Sequence, residues 1–398
     1  MNILVVNAGS SSIKYQLIDM STEQPLSSGI VERIGLKEGS IKHKFVVDGV
    51  EKKITETFPI PDHAVGLKRV AELLVDKEVG VISDPSEIKA VGHRLVHGGE
   101  AFTKTVIVTE EVKAKMRELF PLAPLHNPAN LIGVEVAEKV FPNAVQVGVF
   151  DTAFHQTMPA VAYRYAIPEK MYTEYGIRKY GFHGTSHKYV SEKAMEYLGK
   201  PDAKIITIHL GNGASMAAVD GGVSINTSMG IGPLNGLIMG TRSGTIDPSI
   251  IFYLVEQKGY SIEEVNHILN KESGMKGLTG HADMRDVQEL YLKGDREAVL
   301  AYKMYAHRIK HFIGSYTAAL NGLDAIVFTA GIGENDAIAR SLVCKNMDYL
   351  DIQLDEEKNV VRSKNTREIN TADSKTKVLV IPTNEELEIA RQSFELVK

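Results

Sequence analysis

Two short apolar runs, Ile3 to Val6 and Ile13 to Ile18, flank the small and polar residues Ala8, Gly9, Ser10, Ser11 and Ser12 and close at Asp19. Such runs joined through glycine and serine predict a β-hairpin with a small-residue tip. The pattern returns in the second half of the chain. Ile205 to Leu210 enters Gly211-Asn212-Gly213-Ala214-Ser215, and Met216 to Val219 follows, closing at Asp220. The two tips are separated by about half of the 398 residues, which makes a duplicated domain more economical than coincidence. Further strands are predicted at Ile88 to Val91, Ala144 to Phe150, Ala325 to Thr329 and Val378 to Ile381.

Helical spacing fills the intervals. Asn127-Pro128 and Asp247-Pro248 each read as an N-cap before a proline at the first helical position. Ser186 can cap a helix carrying Val190, Ala194, Tyr197 and Leu198 on one face and stopped by Gly199 and Pro201. Ser261 with Glu264 forms a capping box, and Arg296 to Leu320 keeps apolar residues at helical intervals. Strands mixed with helices predict α/β architecture with helix-covered sheets. No Gly/Ser-rich or Pro-rich linker divides the halves, so the repeat sets the boundary: residues 1–149 with 386–398, and residues 150–385. The polar stretch from Asp355 to Lys377 reads as a solvated excursion with short strands, and a last helix from Glu385 to Leu396 can return to the first half.

At 43% hydrophobic and 24% charged residues, a chain this long buries a large core without disulfide or metal staples. Its single cysteine, Cys344, cannot close an intrachain bridge and suits a reducing compartment. The formal net charge of −5 gives no electrostatic reason to bind nucleic acid or an anionic membrane, so an anionic substrate must be held by local groups. The chain lacks an apolar run of membrane-spanning length, and its first residues lack the basic flank of a signal peptide; a cytoplasmic protein is expected.

Small residues in strand-to-strand turns let backbone N–H groups approach an anion, and the hydroxyls of Ser10, Ser11 and Ser12 add donors. Two such tips would cradle a polyphosphate, with Lys14 as a point charge and Asn7 and Asn212 as orienting amides; an ordinary hairpin remains the competing reading. A Walker A loop is absent, because no G-x-x-x-x-G-K-[ST] occurs. A third glycine-bearing turn, Ala330-Gly331-Ile332-Gly333-Glu334-Asn335, follows the strand at Ala325 and suits a nucleotide, although glycines at such turns often serve geometry alone. Arg94 and Arg242 stand in glycine-bounded turns; either could be solvated, yet a guanidinium there also suits clamping an anion. Asp151 and Glu385 stand at strand ends where carboxylates can hold magnesium, while Glu385 also fits the first turn of a helix that Thr383 and Glu386 would open as a capping box. The pairs His93/His97, His183/His187 and His307/His311 have a four-residue spacing, but none reads H-E-x-x-H and the first two straddle glycine turns. His183 reads as a donor near an anion, and His307 and His311 as ordinary residues of the long helix.

Taken together, V-N-A-G-S-S-S-I-K from Val6, G-H-R-L-V-H-G-G from Gly92, F-D-T-A-F-H from Phe150, Y-G-F-H-G-T-S-H from Tyr180, H-L-G-N-G from His209, M-G-T-R-S-G from Met239, G-I-G-E-N from Gly331 and T-N-E-E from Thr383 make the whole chain resemble the acetate kinase family. The resemblance implies a duplicated ribonuclease H-like fold, of the kind shared by sugar kinases, actin and heat-shock ATPases, with an interdomain nucleotide cleft. It also implies a homodimer that catalyses reversible phosphoryl transfer between ATP plus acetate and ADP plus acetyl phosphate with magnesium, or manganese in its place. By position, Asn7 and Glu385 would serve the metal. Lys14, Ser10 and Ser12, with the turn His209, Leu210, Gly211, Asn212 and Gly213, would contact phosphates. Asp283, Met284 and Arg285, with Gly331, Ile332, Gly333, Glu334 and Asn335, would surround the adenosine. Arg94 would bind the acetate carboxylate beside Val96, Leu125, Phe182 and Pro233, Asp151 would be the acidic residue of the site, and His183 and Arg242 would stabilise the transition state. Ala330 and Thr245 depart from the family, which often has glycine and an acid there.

A carboxylic acid is already ionised at neutral pH, so the acceptor needs no base, and the expected role of Asp151 is orientation. The alternatives are a propionate or butyrate kinase on the same scaffold and an actin-like or chaperone-like ATPase switch.

Overall fold

The first expected hairpin forms in the computed structural model, which describes residues 1–47 and 49–398. β1 (Asn2–Ala8) pairs antiparallel with β2 (Ser12–Asp19), Ile3 opposite Ile18 and Ala8 opposite Ile13. β3 (Gln24–Glu32), β4 (Gly39–Val47) and β5 (Val50–Phe58) extend that edge as a meander. On the other side β1 runs parallel to β6 (Ile88–Leu95), β6 parallel to β8 (Val145–Phe150), and the short β7 (Val106–Ile107) ends the sheet antiparallel to β8. The order is β5-β4-β3-β2-β1-β6-β8-β7.

The second sheet repeats this scheme without the two outer meander strands. β9 (Lys204–Leu210) and β10 (Ala214–Asp220) form the hairpin, and β11 (Val223–Thr227) its antiparallel neighbour. β12 (Ala325–Thr329) and β14 (Lys377–Val380) are the parallel partners, with β13 (Arg367–Glu368) antiparallel at the edge. The order β11-β10-β9-β12-β14-β13 matches β3-β2-β1-β6-β8-β7 strand for strand. Each unit is a ribonuclease H-like α/β fold. The units are Met1–Phe154 with Asn384–Lys398, and His155–Thr383.

Strands covered on both faces read as continuous apolar runs, and β9, β10 and β12 are buried almost end to end. In the first unit the Asn127–Val140 and Glu385–Val397 helices both pack on β1, β6 and β8. The outermost strand β5 lacks an apolar run because it buries none of its residues, whereas β4 buries alternate positions, Ile41, His43 and Phe45 among them.

Several expected helix starts differ in detail. His126, not Asn127, occupies the N-cap; the Asn127 side chain is drawn away to His97, accepting from its N–H at 3.2 Å and donating to its carbonyl at 3.0 Å. The helix expected from Ser186 begins at Gly184, after left-handed turns at Gly181 (φ 77°) and His183 (φ 55°), which leaves Ser186 inside the first turn. Asn384, not Thr383, caps the last helix, its side-chain oxygen accepting from Leu387 N–H at 3.0 Å. The Ser261/Glu264 capping box and the Arg296–Leu320 helix stand where expected. The stretch from Asp355 to Lys377 is less solvated than its composition suggested. It holds a Glu356–Val360 helix and buries Ile369 together with Asn359, Asn370, Ser374 and Thr376, whose short polar side chains satisfy backbone groups; Asn370 accepts from Val378 N–H at 2.8 Å.

Candidate active site

In the first unit the end of β6 delivers Arg94 and the end of β8 delivers Asp151, whose N–H donates to Leu95 O at 2.8 Å. The guanidinium forks onto the carboxylate: Nε donates to Oδ1 at 3.1 Å and Nη2 to Oδ2 at 2.7 Å, with Asp151 2% exposed. Glu385, first residue of the final helix, brings Oε2 to 3.7 Å from Arg94 Nε. Burial raises the Glu385 carboxyl above its usual range; Arg94 opposes that shift and the Asp151 charge reinforces it. Two carboxylates against one guanidinium leave a partly buried excess of negative charge. Lys14 acts electrostatically on Glu385 and is the register partner of Asn7 across the hairpin. The tip itself is fixed by Gly9 N–H donating to Ser12 O at 2.9 Å and by Asn130 Nδ2 donating to Ala8 O at 2.8 Å. Asn130 Oδ1 also accepts from Val96 N–H at 3.0 Å, so one amide ties the small-residue tip to the end of β6, the strand that carries Arg94 in place of the expected turn. The sequence offers Asn127 only as a helix N-cap and gives no reading of Asn130; their ties to His97, Ala8 and Val96 come from the fold. Leu125 is 75% exposed and Val96 half-buried.

In the second unit His183 and Arg242 converge on the β9–β10 turn. A Cβ placed on Gly213 would lie 3.4 Å from His183 Nε2 and 3.8 Å from Arg242 Nη1. Arg242 is held by Nη1 donating to Pro233 O at 3.1 Å. Gly274 (φ 63°) permits the loop behind it, because a Cβ there would strike the carbonyls of Met239 and Arg242. The His183 and His209 rings stack with centroids 4.2 Å apart, and His209 Nδ1 meets Ser186 Oγ at 2.8 Å. Phe182 is buried, its carbonyl engaged by His155 Nε2 at 3.0 Å.

A cavity of about 660 Å³ lies wholly within this unit. Gly211, Asn212, Asp283, Met284, Arg285, Gly331, Ile332 and Asn335 of the expected nucleotide set line it, and a volume of this order suits a nucleoside. Gly333 and Glu334 belong to the framework instead: Gly333 O accepts from Arg340 Nη1 at 2.8 Å, and Glu334 Oε1 accepts from Thr383 N–H at 3.2 Å. Asp283 caps the Met284–Leu292 helix and pairs with Arg285 at 2.6 Å. The cavity also uses Gln288, Tyr305 and Asp336, none of which stands out in the sequence. Tyr305 carries only the spacing of a core helix residue, and Asp336 that of a helix cap.

A ribonuclease H-like unit used twice, with a nucleotide-sized cavity beside a glycine turn that a histidine and an arginine approach, defines a kinase-type phosphotransferase. Residues 2–391 match the acetokinase family. The acetate kinase of Flavobacterium johnsoniae is 58% identical over 398 residues, covering all of both chains. The crystal structure of Porphyromonas gingivalis acetate kinase superposes with a TM-score of 0.95 at 44% identity, covering all of both chains. That of a propionate kinase from Francisella tularensis gives 0.92 at 43%, covering 99% of each. The chain belongs to the acetokinase family.

Proposed function

We infer that the protein transfers a phosphoryl group reversibly between ATP and acetate, giving ADP and acetyl phosphate. Beyond family membership, the observation that carries this reading is the approach of His183 and Arg242 to one glycine turn in the unit that holds the nucleotide-sized cavity.

Acetate arrives ionised, so the barrier is the mutual repulsion of two anions and their alignment. In a direct in-line transfer an acetate oxygen forms a bond to the γ-phosphorus while the bond to the β,γ-bridging oxygen breaks. Arg242 and His183 supply donors for the equatorial oxygens, where charge accumulates. Arg94 binds the acetate carboxylate. Two of its nitrogens are engaged by Asp151, and Nη1 has no hydrogen-bond partner among the described residues. With both carboxylate oxygens occupied, Asp151 orients the guanidinium and removes no proton. A pH-rate profile of Asp151→Asn that regained the full parental rate at alkaline pH would count against this role.

Magnesium fits the donor set. Glu385 and Asp151 leave negative charge beside Arg94 on β6, and β1, which runs parallel to β6, carries the amide of Asn7. Among the described residues no cluster of three or more His, Cys, Asp or Glu could cage an ion. Magnesium retains waters and binds through one or two carboxylates plus substrate phosphates, so Asn7 and Glu385 are the residues that would hold it. When bound, it would neutralise phosphate charge.

The Ser249–Lys258 helix is rich in apolar residues yet buries none of them, with Phe252 60% and Tyr253 53% exposed. This supports a second copy of the chain as its cover, and sedimentation of Phe252→Glu against the parent tests it, a shift to monomer being expected. Among the described residues no helix is long and apolar enough to cross a membrane, and the lone Cys344 is buried and unbridged; we place the enzyme in the cytoplasm.

Trapping acyl hydroxamate from purified protein, ATP, magnesium and a panel of short acids tests the reaction. Acetate should give the highest kcat/KM. The propionate kinase neighbour makes propionate the competing acceptor, and one methylene offers only about 0.8 kcal/mol of burial, so discrimination must come from exclusion. ATP turnover indifferent to added acid would overturn the reading.

A further inference from the structure

His183 is not held alone. Its Nδ1 lies 2.8 Å from Ser215 Oγ on β10, Ser215 Oγ lies 2.7 Å from His187 Nε2 one helical turn further on, and His187 Nδ1 lies 2.7 Å from Thr207 Oγ1 on β9. Thr207, Ser215 and His187 are all fully buried. We propose that this chain of three positioning residues fixes His183 as a neutral imidazole with its hydrogen on Nε2, the nitrogen facing Gly213. The proposal rests on the reading that His183 donates to the transferring phosphoryl group, although the tautomer can be measured without it.

The direction of the chain follows from counting hydrogens. A hydroxyl has one, and Thr207 has two acceptors within reach: His187 Nδ1 at 2.7 Å and Ala217 O at 3.5 Å. The second is beyond the range of an effective O–H···O bond, so Thr207 donates to His187. Burial holds His187 well below the usual imidazole range, and the neighbouring imidazoles of His155 and His209 act in the same direction. Being neutral, it carries one hydrogen, which must sit on Nε2 and be donated to Ser215. Ser215 is left with its own hydrogen to donate to His183 Nδ1. That nitrogen is therefore an acceptor, and the hydrogen of His183 resides on Nε2.

Protonating His183 at Nδ1 would reverse the chain and strand the Thr207 hydrogen on the distant Ala217 carbonyl. Of the groups that face His183, His209 stacks on it from β9, His187 follows on its own helix and Arg242 brings a cation toward the same turn, and none of these three favours a second proton. A neutral imidazole is a donor whose availability does not fall as pH rises through the usual histidine range, as in other enzymes that use uncharged histidine as an electrophile. The geometry at His183 matches this use: its left-handed backbone (φ 55°) is a conformation a non-glycine side chain adopts only when its surroundings over-determine it.

Long-range ¹H–¹⁵N spectra of imidazole-labelled full-length protein decide the matter. At about pH 7.5 the His183 signals should be those of a neutral ring protonated at Nε2. Ser215→Ala should convert them to a tautomer mixture, lower kcat about tenfold with both KM values within about twofold, and introduce a fall in rate as pH rises past about 6.5, while Ser215→Thr should restore part of the rate. A ring protonated at Nδ1 or fully charged in the parent overturns the proposal, as does a Ser215→Ala protein with unchanged tautomer and pH profile. If Ser215→Ala does not fold, the parent spectrum by itself separates the two tautomers. Full activity in His183→Gln would instead remove the catalytic reading and leave the tautomer result standing.

Discussion

Arg94 and Asp151 form a bidentate pair in which the acid is almost wholly buried and the base partly so. Breaking such a pair from one side strands a charge, which costs more than the pair itself contributes. Arg94→Ala should therefore abolish activity and also lower stability by about 3 kcal/mol, as read by chemical unfolding; the double variant Arg94→Ala/Asp151→Ala should recover part of the stability and none of the activity. Ala330 adopts φ 64°, a left-handed conformation in which its Cβ is unfavourable. Ala330→Gly should raise stability by about 0.5 kcal/mol once the entropic cost of glycine is subtracted, and a thermal melt that shifted downward would contradict this.

Among elements, the final helix illustrates how a start signal can be right in kind and wrong in residue. T-N-E-E contains two potential capping devices, and the choice falls on Asn384 because Thr383 Oγ1 is engaged with Ser186 Oγ at 2.9 Å. Asn384→Ala should cost about 1 kcal/mol, measurable by urea unfolding, while Asn384→Ser should cost little. Ser186 shows the same competition: its hydroxyl serves His209 and Thr383 and caps nothing. Local spacing found that helix, and a tertiary partner decided what its serine does.

For the whole molecule, four histidines lowered by burial, His43, His93, His155 and His187, shape the response to acid. Burial lowers His93 to about 4 and His155 to about 4, and holds His187 well below its usual range. A histidine depressed in the folded state takes up protons preferentially when unfolded. Its stability contribution is complete above the unfolded value near 6.5 and is lost as pH falls from there toward 4. At about pH 5 His93 and His155 should each have cost about 2 kcal/mol relative to pH 7.5. Urea midpoints measured at the two pH values check this; equal midpoints would mean that the rings relax or pair on protonation. The hairpins, the duplication and the long helix were legible in the sequence, because each is specified by short-range spacing: alternation or runs for strands, small residues at the turns between them, and helical intervals for helices. What remained illegible was the partner of each polar group. That Arg94 forks onto Asp151, that Asn130 joins two loops, that Tyr305 and Asp336 line the cavity and that Thr207 sets the hydrogen on His183 are consequences of residues brought together from distant positions, and hydrogen-bond geometry, which depends on tenths of an ångström, exists only once the sheets and helices have packed.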